Sequence, residues 1–195
     1  MTEYRIWPTT DGPAGSFTDG QPVSQGTEFI VTANGWVTKI WYWRATSAMG
    51  TTPPQGQIFL VTSASTGTPI DSPKTFPAPT GLGWQSVTLD TPIAVIPGEA
   101  YRAVIYHPNG EYTATPGNNY WNAGGPGEFG IVNGILTARA AADSNGGQST
   151  FKYGSGIQYP DSSFNSGNYW VDLSVSNVVP VTGPTNPGAF LEFLR

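Results

Sequence analysis

The chain has 195 residues, a formal net charge of -5 and no cysteine, so it can bury a single-domain core but has no disulfide, thiolate zinc site or cysteine nucleophile. Its 8 Lys and Arg are scattered and form no basic stripe, which argues against nucleic acid as a partner. Charged residues make up only 11%, against 25 Gly, 18 Pro and 13% aromatics, a profile of many short strands joined by tight turns rather than of a helical bundle.

Alternation and turn signals place strands at about 3–7, 26–33, 36–45, 56–63, 84–90, 99–107, 111–115, 128–140 in two pieces, 150–159 and 168–176. The expected fold is an all-β antiparallel sandwich over 1–176. Asn-Gly pairs at Asn34-Gly35, Asn109-Gly110, Asn133-Gly134 and Asn145-Gly146 each mark a place where a hairpin closes or is flanked. Within 36–44, Ile40 and Tyr42 alternate against Val37, Trp41 and Trp43, a strand covered on both sides or carrying a contact surface outward. The last strand sets Tyr169, Val171, Leu173 and Val175 toward the core and Trp170, Asp172, Ser174 and Ser176 the other way.

Beyond Ser176, Pro180, Pro184 and Pro187 deny the chain a ladder. Residues 177–195 therefore read as a Pro/Gly-rich arm ending in Phe190, Leu191, Phe193 and Leu194, an apolar anchor expected to dock on a neighbour or to fold back on its own domain. The opening MTEYRIWPTTDG lacks a basic segment followed by an apolar one, and no stretch approaches the ~18 apolar residues of a membrane span. A membrane is not expected as a partner.

Three blocks carry a family likeness. The first is Gly26-Thr27-Glu28-Phe29 with Gly35-Trp36-Val37-Thr38-Lys39-Ile40-Trp41-Tyr42. The second runs from Gly83-Trp84-Gln85-Ser86-Val87 through Tyr101 to Tyr106-His107-Pro108-Asn109-Gly110-Glu111-Tyr112. The third joins Pro160-Asp161-Ser162-Ser163-Phe164 to Asn168-Tyr169-Trp170-Val171-Asp172. In order and spacing they resemble the DUF4082 family, an all-β domain of unassigned function met in bacterial surface proteins and phage structural genes. The resemblance implies a jelly-roll-like sandwich with no assigned catalytic residue, metal or cofactor.

Catalysis finds little footing. His107 is the sole histidine and no Gly-x-Ser-x-Gly elbow accompanies it, so a role in the Tyr-His-Pro-Asn-Gly corner suffices. Asp90, Glu99, Glu111, Asp143, Asp161 and Asp172 supply carboxylates for a paired mechanism, but most lie where solvated caps and turns are the ordinary role. For Asp172 a structural hydrogen bond to a neighbouring loop is preferred over calcium ligation. Among the abundant aromatics, Trp36, Trp84, Trp170, Tyr42, Tyr153 and Tyr159 are mostly core candidates. Tyr120 and Trp121, in the loop Asn118-Asn119-Tyr120-Trp121-Asn122, together with Trp41 and Trp43, are the expected ligand or partner contacts.

These readings point to a non-enzymatic virion structural protein, a capsid decoration or minor tail component made in the host cytoplasm. Its expected partners are other virion proteins, further copies of itself and a host cell-surface glycan. The alternative is an extracellular carbohydrate-binding module of a larger bacterial surface protein.

Overall fold

In the computed structural model, which describes residues 2–10, 12–115 and 119–180, two antiparallel sheets pack face to face as a β-sandwich. In chain order the strands are β1 (Glu3–Tyr4), β2 (Phe17–Thr18), β3 (Val23–Val31), β4 (Gly35–Arg44), β5 (Gln55–Val61), β6 (Gly67–Pro69) and β7 (Lys74–Thr75). They continue with β8 (Gly83–Val95), β9 (Ala100–His107), β10 (Glu111–Tyr112), β11 (Ile131–Asn133), β12 (Leu136–Ala138), β13 (Ser149–Tyr153) and β14 (Val171–Ser176). Every expected strand has a counterpart, and β2, β6 and β7 are short additions too brief for periodicity to announce. Pro92 sits inside β8 and Pro69 inside β6, both at sheet edges, where a missing N–H costs no ladder bond.

The smaller sheet has the order β1-β14-β4-β8, and the larger runs β11-β12-β3-β9-β5-β6. The outer edge of β3 is divided, since β12 pairs with residues near Val31 and β13 with Val23 through Thr27. β2 and β10 form a separate two-stranded ribbon. Between the sheets lie Ile40, Tyr42, Val171, Leu173 and Val175 from one side and Phe29, Val31, Ile58, Tyr101, Ala103 and Ile105 from the other. Each such side chain taken out of water contributes roughly 1.5–3 kcal/mol.

Turns and strand alternation depart from expectation in two places. Of the Asn-Gly pairs, Asn133-Gly134 closes a hairpin, with Asn133 opposite Leu136 and Gly134 at φ 58. Asn34-Gly35 instead carries the chain from β3 in one sheet to β4 in the other, and Asn109-Gly110 leads from β9 into the ribbon. Asn145-Gly146 lies in the loop before β13. Val37 belongs to the core, because the register slips between Val37 and Lys39 and one extra residue reverses the alternation. Trp170, at φ 54 just before β14, is buried too, packed against Trp7, Trp84 and Tyr120.

Both sheets are covered on their outer faces too. Over the smaller one lies the N-terminal segment, with Ile6 and Trp7 buried and Trp7 packed among Trp84, Trp121, Trp170 and Tyr120. Over the larger one, Arg102 and Arg139 pair with the buried Glu28, and Arg102 also donates to the carbonyls of Pro160 (2.7 Å) and Asn145 (2.8 Å).

Candidate functional site

The residues expected to make outward contacts are mostly spoken for within the domain. Tyr120 is 6% and Trp121 1% exposed, which overturns their assignment as ligand contacts. Their loop folds inward because Asn119 N and Trp121 N donate to the carbonyls of Asn165 and Ser166. Trp121 Nε1 then donates to Ser149 Oγ (3.1 Å), and Tyr120 OH accepts from Trp7 Nε1 (2.9 Å). Gly127 lies flat against the Trp121 ring, where any Cβ would collide.

Trp41 and Trp43 are half-buried, and the partner they were expected to meet is the chain's own N-terminus. The Arg5 guanidinium lies 4.0 Å from the Trp41 ring centre, and Trp43 Nε1 donates to the Pro13 carbonyl (3.1 Å). Asp172 behaves as the structural acceptor foreseen. Fully buried, it takes hydrogen bonds from Ile6 N (2.9 Å), Trp7 N (3.2 Å) and Arg5 Nε (3.0 Å), which pins the N-terminal segment to the sheet. Burial raises its carboxyl above the ordinary range, opposed by Arg5 and these backbone donors. His107 is buried edge-on to Tyr42, which lowers it to about 3 and keeps the imidazole neutral; its corner is closed by Gly110 N donating to the His107 carbonyl (3.2 Å). Phe190, Leu191, Phe193 and Leu194 lie outside the described residues.

What the fold does present is a cleft of about 330 Å³ at one end of the sandwich. Its floor is the start of β3. Val23, Gln25, Thr27, Phe29 and Val31 alternate onto the inner face, and the apolar core gives way to polar side chains at Thr27 and Gln25. Phe151 and Tyr153, opposite Gln25 and Val23 across the β3–β13 ladder, form one wall. The ribbon forms the second wall with Phe17 and Tyr112, stacked at 5.9 Å, and the segment bearing Phe164 and Tyr169 forms the third. Tyr112 is placed by Gly110, whose φ of +68 and close approach to the Gln21 carbonyl exclude a side chain. The third wall is strained: Asn165 and Ser166 both sit at positive φ, 47 and 48, a conformation that costs non-glycine residues of order 1–3 kcal/mol each.

The floor is unusual because Gln25 is 1% exposed, yet neither its Nε2 nor its Oε1 has a hydrogen-bond partner among the described residues. Asn168 Nδ2 and Thr27 Oγ1, equally buried, are also unpartnered. Buried polar groups rarely stay unpaired. At the rim, the Tyr112 and Tyr153 hydroxyls both donate to Oδ2 of Asp19, at 2.9 and 2.6 Å. The hydrogen bond to Asp19 lifts the Tyr153 phenol to about 12, with burial and the Asp19 charge adding. Burial first, and Asp19 second, raise Tyr112 as well. Both phenols are therefore neutral donors at ordinary pH.

Among the described residues, Asp19 is the one charged side chain lining the cleft. Lys152, on the other face of β13, pairs with Asp161 (2.6 Å). Among the described residues no group of three His, Cys, Asp or Glu could hold a metal. The arrangement offers ring faces, an unpartnered amide and a rim carboxylate, which suits binding a small polar ring. Reading the sequence had set Tyr153 mainly among core candidates and had not singled out Gln25. The available signal was a polar residue at an inward position of a strand whose other inward residues are Val23, Thr27, Phe29 and Val31.

No curated protein matches the chain. The family described as domain of unknown function (DUF4082) matches residues 10–171, and the chain belongs to that family.

Proposed function

We propose that this domain is a non-enzymatic adhesion module that seats a glycan in the aromatic cleft, displayed on a bacteriophage particle or on a bacterial surface protein. One observation carries the reading: a buried Gln25 amide with donor and acceptor both unpartnered, at the floor of a cleft walled by Tyr and Phe rings. Leaving such a group unpaired costs about 1–3 kcal/mol, and the amide is shut off from water in the free fold, so a small side-chain shift that brings it to a ligand's hydroxyls would recover that cost. A sugar serves both surfaces. Its C–H faces pack on aromatic rings, while its hydroxyls donate and accept at once, as an amide requires.

The non-enzymatic part has its own support. The common glycoside hydrolases use two carboxyl groups across the bond, and among the described residues Asp19 lines the cleft without a second. The neutral, buried His107 is not among the residues lining it.

The test is calorimetric titration of the purified chain against a panel of neutral and charged oligosaccharides. Tyr153 and Phe164 stand 40% and 57% exposed on the rim, so Tyr153→Ala and Phe164→Ala leave the core closed. Each should weaken binding by about tenfold, the scale of a lost stacking contact, with Tm unchanged and no reducing ends released by the wild type. Binding to no glycan, or affinity untouched in both variants, refutes the module. Mass spectrometry of purified particles tests the virion setting separately.

A further inference from the structure

Resting on that reading, we infer that the cleft is selective for an amino sugar, a hexosamine unit whose amine is free and protonated, over neutral, N-acylated or acidic sugars. The argument starts at Asp19. Both tyrosine hydroxyls spend themselves on Oδ2, and no described residue donates to Oδ1. The carboxylate therefore keeps an open acceptor at the mouth of a cleft in whose lining the described residues place no cationic side chain.

The rings add to this preference. Phe17, Tyr112, Phe151, Tyr153 and Tyr169 present aromatic surface around the same space, and the negative face of an aromatic ring attracts an ammonium within about 6 Å. A sugar carboxylate meets the opposite: Asp19 in the cleft and a chain of net charge -5 both repel it. N-acylation removes the charge that Asp19 and the rings would recognise. A bare quaternary ammonium would use Asp19 and the rings but leave the Gln25 amide unanswered, so a sugar bearing the cation accounts for more of the cleft.

Four hexasaccharides, β-1,4-linked glucosamine, its N-acetylated form, the glucose analogue and a galacturonate, are titrated calorimetrically into the full chain at about pH 6 and physiological salt, with choline as a fifth arm. The glucosamine oligomer is expected to bind about tenfold tighter than the glucose oligomer, the scale of one charge pair with a cation–π contribution, and the galacturonate weakest. Asp19→Asn should erase that preference while glucose-oligomer binding persists. Glu99→Gln, which removes an equal charge from an exposed site outside the cleft lining, should leave it intact and so exclude general attraction of a polycation. If the glucose or N-acetylated oligomer binds as tightly as the free amine, or Asp19→Asn keeps the preference, the amino-sugar inference is overturned while the glycan module stands. If no saccharide binds, or choline binds tightest, the glycan reading itself falls and this inference with it.

Discussion

Gln25→Met separates the needs of the fold from those of the cleft. The substitution keeps length and nearly keeps volume on β3 while deleting a donor and an acceptor that are buried without partners. An unsatisfied buried polar group costs about 1–3 kcal/mol, and exchanging it for an apolar group of like shape is neutral or stabilising. A gain of roughly 1 kcal/mol, at the low end of that range, is expected, or about 2–4 °C in Tm for a chain of this length. Glycan affinity should move the opposite way, falling about tenfold or more, since the ligand's hydroxyls lose their floor partner. Urea denaturation and calorimetric titration on the same preparations give both numbers. A variant destabilised by more than about 1 kcal/mol would mean the amide is already satisfied inside the fold. A variant that is stabilised but binds as before would place the ligand elsewhere.

Asp172→Ala leaves Arg5 and the amides of Ile6 and Trp7 without their acceptor in a buried site; a loss of roughly 3–5 kcal/mol is expected, with a red shift of tryptophan emission as Trp7 leaves its hub, and a loss under about 1 kcal/mol would show that the N-terminal segment is held by packing alone. His107 is neutral in the fold down to about 3, whereas the unfolded residue protonates near 6.5. The unfolded state thus binds the extra proton between those values, and stability falls as pH falls, by up to roughly 1.4 kcal/mol per pH unit. Asp71, raised to about 6 by burial, acts in the opposite sense, so the comparison is with His107→Leu, which keeps Asp71 and should lose less stability than wild type between about pH 6 and pH 4; parallel pH profiles would refute the assignment. A chain ending at Pro180 should keep its Tm, since β14 closes the core at Ser176, and lose the association proposed for Phe190, Leu191, Phe193 and Leu194; unfolding on truncation would mean the tail fills its own core.

The fold was legible to the extent that alternation controls it. β4 and β14 announce themselves because an apolar face toward the core alternates with a more polar face under the covering segments, and a charge-poor, Gly- and Pro-rich chain leaves little else to build. Pairing was not legible. Asn34-Gly35 has the chemistry of a hairpin turn but joins strands in different sheets, a matter of long-range packing on which local turn preference is silent. The same limit hid the cleft, whose lining is drawn from residues near 17–25, 112–115, 151–153 and 164–169, segments brought together by closure of the sandwich.

Aromatic density misled for a physical reason. Tyr120 and Trp121 lie in a loop rich in asparagine, yet a large ring gains more by burial than any neighbour loses by bending, so they joined Trp7 and Trp170 in a shared cluster. An aromatic ring in a sandwich has two plausible destinations, core or surface, and its identity does not choose between them. An amide at an inward position of a core strand is different. Burial penalises it unless something pairs with it, and where the described residues supply no partner, as at Gln25, the position is the one at which an occupant from outside is proposed. For this chain the polar interruption of an apolar strand face is therefore a sharper sign of a binding site than the whole tryptophan supply.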